Sequence, residues 1–143
     1  MFTWSYERSI DEKGRIIIPP KFRKGLGTEF IITRGLERCI YIYPMDTWKE
    51  LSRKISSLPL EKKDVRIYQR FVFSSALDVK MDSQGRISIP KALRDYAGIK
   101  KDVVMVGVSS RVEIWDKETW EKINEELEKS LSNFENLIEL YDK

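Results

Sequence analysis

A mainly β fold is predicted: a pseudo-twofold β-barrel made of two like modules, with α-helices outside. Three observations predict it. A thirteen-residue motif occurs twice, strand-period alternation surrounds each copy, and apolar residues fall at helical spacing only between and after the copies.

Residues 11–23 read DEKGRIIIPPKFR and residues 82–94 read DSQGRISIPKALR, at an offset of 71. Seven positions are identical: Asp11/Asp82, Gly14/Gly85, Arg15/Arg86, Ile16/Ile87, Ile18/Ile89, Pro19/Pro90 and Arg23/Arg94. Ordinary residue frequencies give about one such match. Upstream, Tyr6, Arg8 and Ile10 align with Leu77, Val79 and Met81. Downstream, Asp46-Thr47-Trp48 matches Glu118-Thr119-Trp120 at offset 72, so one residue is inserted between the motif and that point. The chain therefore divides into a first repeat at 4–48, a helical linker at 49–74, a second repeat at 75–120 and a C-terminal helix at 121–143. A single module of this size buries too little surface to stand alone, whereas two folded together bury each other.

Each element has a local reason. Phe2, Trp4 and Tyr6 alternate, which predicts one face of a first strand. Gly14 and Gly85 centre turns that need a positive φ. Arg15–Ile18 and Arg86–Ile89 read as short apolar strands, each ended by a proline that starts a short helix. Gly25 and Gly27, or Gly98, close those helices. A hairpin follows in each copy: Phe30–Thr33 with Cys39–Tyr43, and Val103–Val108 with Val112–Trp115. Tyr41 and Tyr43 alternate with Ile40 and Ile42, so one face of that strand meets solvent or an interface. Cys39, the only cysteine, reads as a small core residue.

The helices differ between copies. Trp48, Leu51, Ile55 and Leu58 recur at helical spacing, with Thr47 and Glu50 resembling a capping box. A second helix is expected at about 61–73. The last is expected to run from about Lys117 to Leu140, with Trp120, Ile123, Leu127, Leu131, Phe134 and Ile138 along one stripe. That stripe packs against the body or forms a seam between subunits, and packing against the body is favoured. Trp48 and Trp120 occupy equivalent positions and read as core anchors.

Charge separates the chain into two parts. Residues 116–143 hold nine acids and four bases, a net of −5, inside a total of +3; residues 1–115 therefore carry +8. A basic body with an acidic tail suits a polyanion-binding surface. There is no histidine, no phosphate-binding loop and one cysteine. Those facts remove the usual general base and the usual zinc ligands, so no catalytic site, metal or cofactor is expected. No apolar run reaches the roughly 20 residues of a spanning helix, so a cytoplasmic protein with no membrane partner is expected.

The D-x-x-G-R turn carries the chemistry. Asp11 and Asp82 are placed to accept backbone N–H bonds across their turns. Arg15 and Arg86 leave the turns with planar, permanently charged forks that suit a phosphate or the O6 and N7 of guanine. Lys13 adds charge to the first turn, and Gln84 in the second has the donor–acceptor pair that reads adenine. Lys21, Arg23, Lys24, Lys91 and Arg94 follow on the short helices. A two-stranded ribbon with an arginine tip fits a major groove. Alternatively, Asp and Arg pair with each other and merely stabilise the turn. The residues leave both open.

The two D-x-x-G-R-I-x-I-P motifs, their spacing and the total length resemble the MraZ family of bacterial transcription regulators, within the wider AbrB/SpoVT-type superfamily. The resemblance covers essentially the whole chain. It implies a double-split, swapped-hairpin β-barrel made from two pseudo-twofold repeats, with flanking helices. It implies a ring-shaped homo-oligomer, an octamer or a dodecamer, located at the nucleoid. It also implies binding of double-stranded DNA at direct repeats upstream of the division and cell-wall gene cluster, including the protein's own gene. The DNA-binding signature of that family falls on Asp11 to Arg15 and Asp82 to Arg86. The rival reading is an oligomeric scaffold or protein-binding module, such as a toxin partner, acting through the acidic tail.

Overall fold

The computed structural model describes residues 1–142; Lys143, the last residue of the segment expected at 121–143, lies outside the described residues. The first copy contributes β1 (Ser5–Ser9), β2 (Arg15–Ile17), α1 (Pro20–Leu26), β3 (Glu29–Arg34) and β4 (Ile40–Pro44). Two helices follow, α2 (Met45–Ser56) and α3 (Lys63–Phe73). The second copy repeats the order with β5 (Leu77–Lys80), β6 (Arg86–Ser88), α4 (Lys91–Tyr96), β7 (Asp102–Val108), β8 (Arg111–Asp116) and α5 (Lys117–Lys129). A 3-10 turn, Leu131–Phe134, and α6 (Leu137–Tyr141) end the described chain.

The body is antiparallel β-sheet and the helices flank it. Six strands form one sheet in the order β1-β7-β8-β4-β3-β5, and β2 pairs with β6 in a separate ribbon. The pairing is symmetric between the copies. Strand β1 of the first copy joins β7 of the second, and β5 of the second joins β3 of the first. At the ribbon's centre Ile16 faces Ile87, its own equivalent. In the large sheet Tyr41 faces its equivalent Glu113. Neither β1 with β2 nor β5 with β6 forms a self-contained hairpin, and the two-stranded ribbon that carries the arginines is shared between copies.

One apolar cluster joins both copies. Ile16, Ile18, Ile87 and Ile89 from the ribbon meet Phe22 and Leu93 from the short helices, under the inner face of the large sheet. The period-2 pattern of β4 and β8 explains that face: Ile40, Ile42, Val112 and Ile114 point inward and are fully buried. The outer face carries Ile31, Thr33, Tyr43 and Trp115, and helices α2, α3 and α5 cover it. Tyr43 is buried beneath Trp48, which also meets Phe73 edge-on. Tyr41 lies under the Arg111 guanidinium, 4.6 Å from ring centroid to Cζ. The face expected to meet solvent or an interface is thus covered by the chain's own residues. Trp48 and Trp120 are half-buried; they cap that outer layer and do not enter the central cluster. Cys39 is fully buried, and burial pushes its thiol pKa up.

Four local expectations change. Trp4 has φ +75° and is 75% exposed, so the alternation Phe2–Trp4–Tyr6 breaks there and β1 starts at Ser5. Phe2 is instead pinned by paired backbone bonds to Ser109 and packs against Phe22. The capping box at Thr47 and Glu50 is absent, because α2 starts one residue after Pro44 with no side-chain cap. The slip between repeats is larger than one inserted residue. Gly27 and Gly98 stay at offset 71, but Thr28 and Lys101, which accept equivalent bonds from Met81 and Ile10, stand at 73. Ile99 and Lys100 are the insertion, and the shorter second hairpin restores 72. Finally, the continuous helix expected to Leu140 stops at Lys129. Only Trp120 and Ile123 of its stripe approach the body; Leu127, Leu131, Phe134 and Ile138 are exposed. The favoured packing of that stripe against the body fails beyond Ile123.

Candidate nucleic-acid interface

The two D-x-x-G-R turns have the same geometry. Asp11 Oδ1 accepts from the Lys13 and Arg15 backbone N–H groups, both at 2.9 Å. Its Oδ2 accepts from Arg15 Nε at 2.8 Å. Asp82 accepts from the N–H of Gln84 at 2.9 Å, the N–H of Arg86 at 2.8 Å and Arg86 Nε at 2.9 Å. Each turn closes with the glycine N–H donating to the aspartate carbonyl at 3.0 Å. Gly14 and Gly85 hold φ of +78° and +77°, where a β-carbon is strained. These bonds favour the ionised carboxylates, so both pKa values lie below the ordinary 3.8; the largest cause is the backbone N–H of Arg15 or Arg86.

The ion pair raised as an alternative therefore forms, in both copies. It leaves much of each arginine free. Only Nε meets the aspartate, so the four Nη protons keep no partner among the described hydrogen bonds. The side chains of Arg15 and Arg86 remain 31% and 28% exposed. Each aspartate fixes one edge of a guanidinium and leaves the other edge available for bidentate bonding.

Pairing of β2 with β6 decides where those edges lie. Ile16 and Ile87 point into the core, so their neighbours Arg15, Ile17, Arg86 and Ser88 share the outward face of one ribbon. Lys13, Arg15, Lys80, Asp82, Arg86 and Arg94 line one shallow depression there. Bases outnumber acids in it, and the local potential is positive. Asp11 lines a separate depression beside Lys91 and Lys101. Gln84 is exposed on its turn but lines neither depression.

Several cations expected beside the motif are otherwise engaged. Arg23 lies over Gly85 of the opposite turn and donates from Nε to Ile18 O at 2.9 Å. Arg94 lies over Gly14. Lys91 pairs with Asp95 at 2.7 Å. Lys80 was not legible in the motif, because its position is Ser9 in the first copy and no repetition flags it. Among the described residues no three His, Cys, Asp or Glu side chains are grouped to hold a metal, and no helix is long and apolar enough to cross a membrane.

A duplicated chain whose copies complete each other's sheets, with twin Asp–Arg turns whose arginines share one exposed face, defines a class of small two-repeat β proteins. The model of one family, described as "MraZ protein, putative antitoxin-like", matches this chain twice, at residues 1–71 and 72–142. The chain belongs to the MraZ family. A relative from Natranaerobius thermophilus is 52% identical over 97% of this chain and 95% of its own length. Another, from Acetivibrio thermocellus, is 54% identical over 85% of each chain. Both are named "Transcriptional regulator MraZ". The solution structure of PHS018 from Pyrococcus horikoshii covers 80% of this chain and 88% of its own, at 20% identity and a TM-score of 0.31, too low to define a shared fold.

Proposed function

We propose that this protein is a sequence-specific DNA-binding regulator of transcription, not an enzyme, and that the outward face of the β2–β6 ribbon is its DNA interface. The observation that carries the reading is the free Nη edge of Arg15 and of Arg86, held outward on one positively charged face by matched turns. Arg15 and Arg86 contact phosphate or guanine; Asp11 and Asp82 hold them; Lys13 and Gln84 add phosphate and base contacts at the turn tips; Gly14 and Gly85 permit the bends. The names of the two relatives support regulation of transcription. An exposed ion pair is worth only about 0–1 kcal/mol, so exchanging part of it for DNA costs little.

The finer architecture belongs to the same proposal: repeats at 4–48 and 75–120 closing as a double-split barrel, a linker at 49–74 and a tail at 121–143. So does assembly into a ring of eight or twelve protomers, in the cytoplasm at the nucleoid. The sites are direct repeats upstream of the division and cell-wall cluster, the protein's own gene included. One ribbon face binds weakly and with strong salt dependence. A ring on tandem sites converts weak contacts to avidity of roughly 10²–10⁴-fold. The test is fluorescence anisotropy with a duplex from upstream of the protein's own gene, across a salt series. Arg15→Ala and Arg86→Ala each lower affinity and reduce the salt slope by about 1 per lost phosphate contact. Unchanged binding by the double variant overturns the site.

A second reading, a scaffold or toxin-partner module, draws on the exposed apolar residues of the acidic tail. It predicts no DNA binding even at low salt, and loss of assembly when the chain is cut after Ser130.

A further inference from the structure

Arg23 and Arg94 are equivalent residues at the ends of the repeated motif, and each guanidinium lies against the turn glycine of the other copy. A β-carbon at Gly85 would stand 2.6 Å from Arg23 Nη2 and 2.7 Å from its Nε. One at Gly14 would stand 3.0 Å from Arg94 Cζ and Nη1. Three atoms of the Arg23 guanidinium therefore lie against Gly85, and two of the Arg94 guanidinium against Gly14, each the turn glycine of the other copy. The backbone crosses in the same sense: Ile18 N–H donates to Gly85 O, and Ile89 N–H donates to Gly14 O, both at 2.8 Å. Arg23 Nε donates to Ile18 O, tying the strand end to the opposite turn. Arg94 Nε is buried with no partner at all. Its guanidinium instead meets Gly14, where Cζ and Nη1 lie against the glycine.

Resting on the DNA-binding reading above, we infer that Arg23 and Arg94 are positioning residues, each clamping the Asp–Arg turn of the opposite repeat from behind. Arg23 sets the second turn through Gly85, and Arg94 sets the first through Gly14. The glycines serve twice: they allow the positive φ, and they leave the flat surface on which the guanidinium rests. Lysine keeps the charge but has no planar fork, so it does not replace arginine here. The two turns are consequently interlocked, and neither loosens without disturbing the other copy's helix.

The test uses full-length Arg23→Lys, Arg94→Lys and the two alanine variants, with far-UV circular dichroism as the folding check. Without DNA, hydrogen exchange is followed by mass spectrometry in peptides spanning each turn. Arg23→Lys accelerates exchange at residues 83–86 more than at 12–15, and Arg94→Lys does the reverse. With the upstream duplex, both lysine variants lose affinity by about 5- to 100-fold, the range for one anchoring contact, while the salt slope stays at the wild-type value. Lysine variants that bind like wild type, with alanine variants that lower the slope by about 1, make these residues phosphate contacts and overturn the inference. Acceleration confined to a variant's own turn also overturns it. Should an alanine variant unfold, the lysine variants and the exchange pattern still decide. If Arg15→Ala and Arg86→Ala leave binding intact, the DNA site is wrong, and the exchange data test the clamp alone.

Discussion

Replacing Gly85 by alanine perturbs the clamp and the turn together, and a second glycine separates the two effects. Gly98 has φ +63° with open space where its β-carbon would go; Gly85 has φ +77° with the Arg23 guanidinium there. A left-handed conformation costs an alanine roughly 1–2 kcal/mol. Gly98→Ala should cost about that much. Gly85→Ala adds displacement of Arg23 and loss of its hydrogen bond to Ile18 O; for a part-exposed charged donor that is about 1.5 kcal/mol. The excess of Gly85→Ala over Gly98→Ala is therefore about 1.5 kcal/mol. At roughly 2–4 °C per kcal/mol for a chain of this size, it lowers Tm by a further 3–6 °C or so. Thermal unfolding by circular dichroism, at one fixed protomer concentration, reads the difference. In an Arg23→Ala background the excess should vanish, because nothing remains to displace. Equal Tm values for the two glycine variants, or an excess that survives without Arg23, refute the packing argument.

Other outcomes follow from the same geometry. Ile16→Ala, at the centre of the ribbon and 1% exposed, should cost about 2–5 kcal/mol by denaturant titration. Ile17→Ala, one residue on and facing outward, should cost within about 0.5. Asp11 and Asp82 titrate below 3.8 when folded, so their stabilisation is fully present above that value and is lost as pH falls through the depressed one. Unfolding free energy should thus show no change from these groups between pH 7 and 5, where their contribution is constant, and a fall below about 4; Asp11→Asn with Asp82→Asn should flatten that limb. Cutting the chain after Ser130 removes only exposed residues among those described, so Tm should move by no more than about 2 °C. Light scattering on the same sample reports whether those apolar side chains hold copies together.

What was legible in the sequence was local. The glycine at positive φ, the aspartate four residues before an arginine and the proline opening a helix act within one turn, so the repeated motif displayed them twice. The inner face of β4 followed from alternation, since burial on a strand has period 2, whereas its outer face, expected to meet solvent or an interface, is covered by the chain's own residues. Trp4 departs from the expected strand because alternation assumes extended backbone, and its φ of +75° turns the chain there. The tail departs from the expected single helix because helical spacing tells which side chains share a face and says nothing about where a helix stops or what covers it.

By itself, then, the sequence determined that there are two copies, that each has a tight Asp–Arg bend, and which strand faces are apolar. All of this rests on contacts within a few residues. Tertiary structure alone decided that the strands of one copy pair with the other, that Arg15 and Arg86 emerge on one ribbon face, and that Arg23 and Arg94 cross to the opposite glycines. The physical reason is that two near-identical copies offer near-identical partners. Local chemistry is almost the same for pairing within a copy or between copies, and only burial of the shared core distinguishes them.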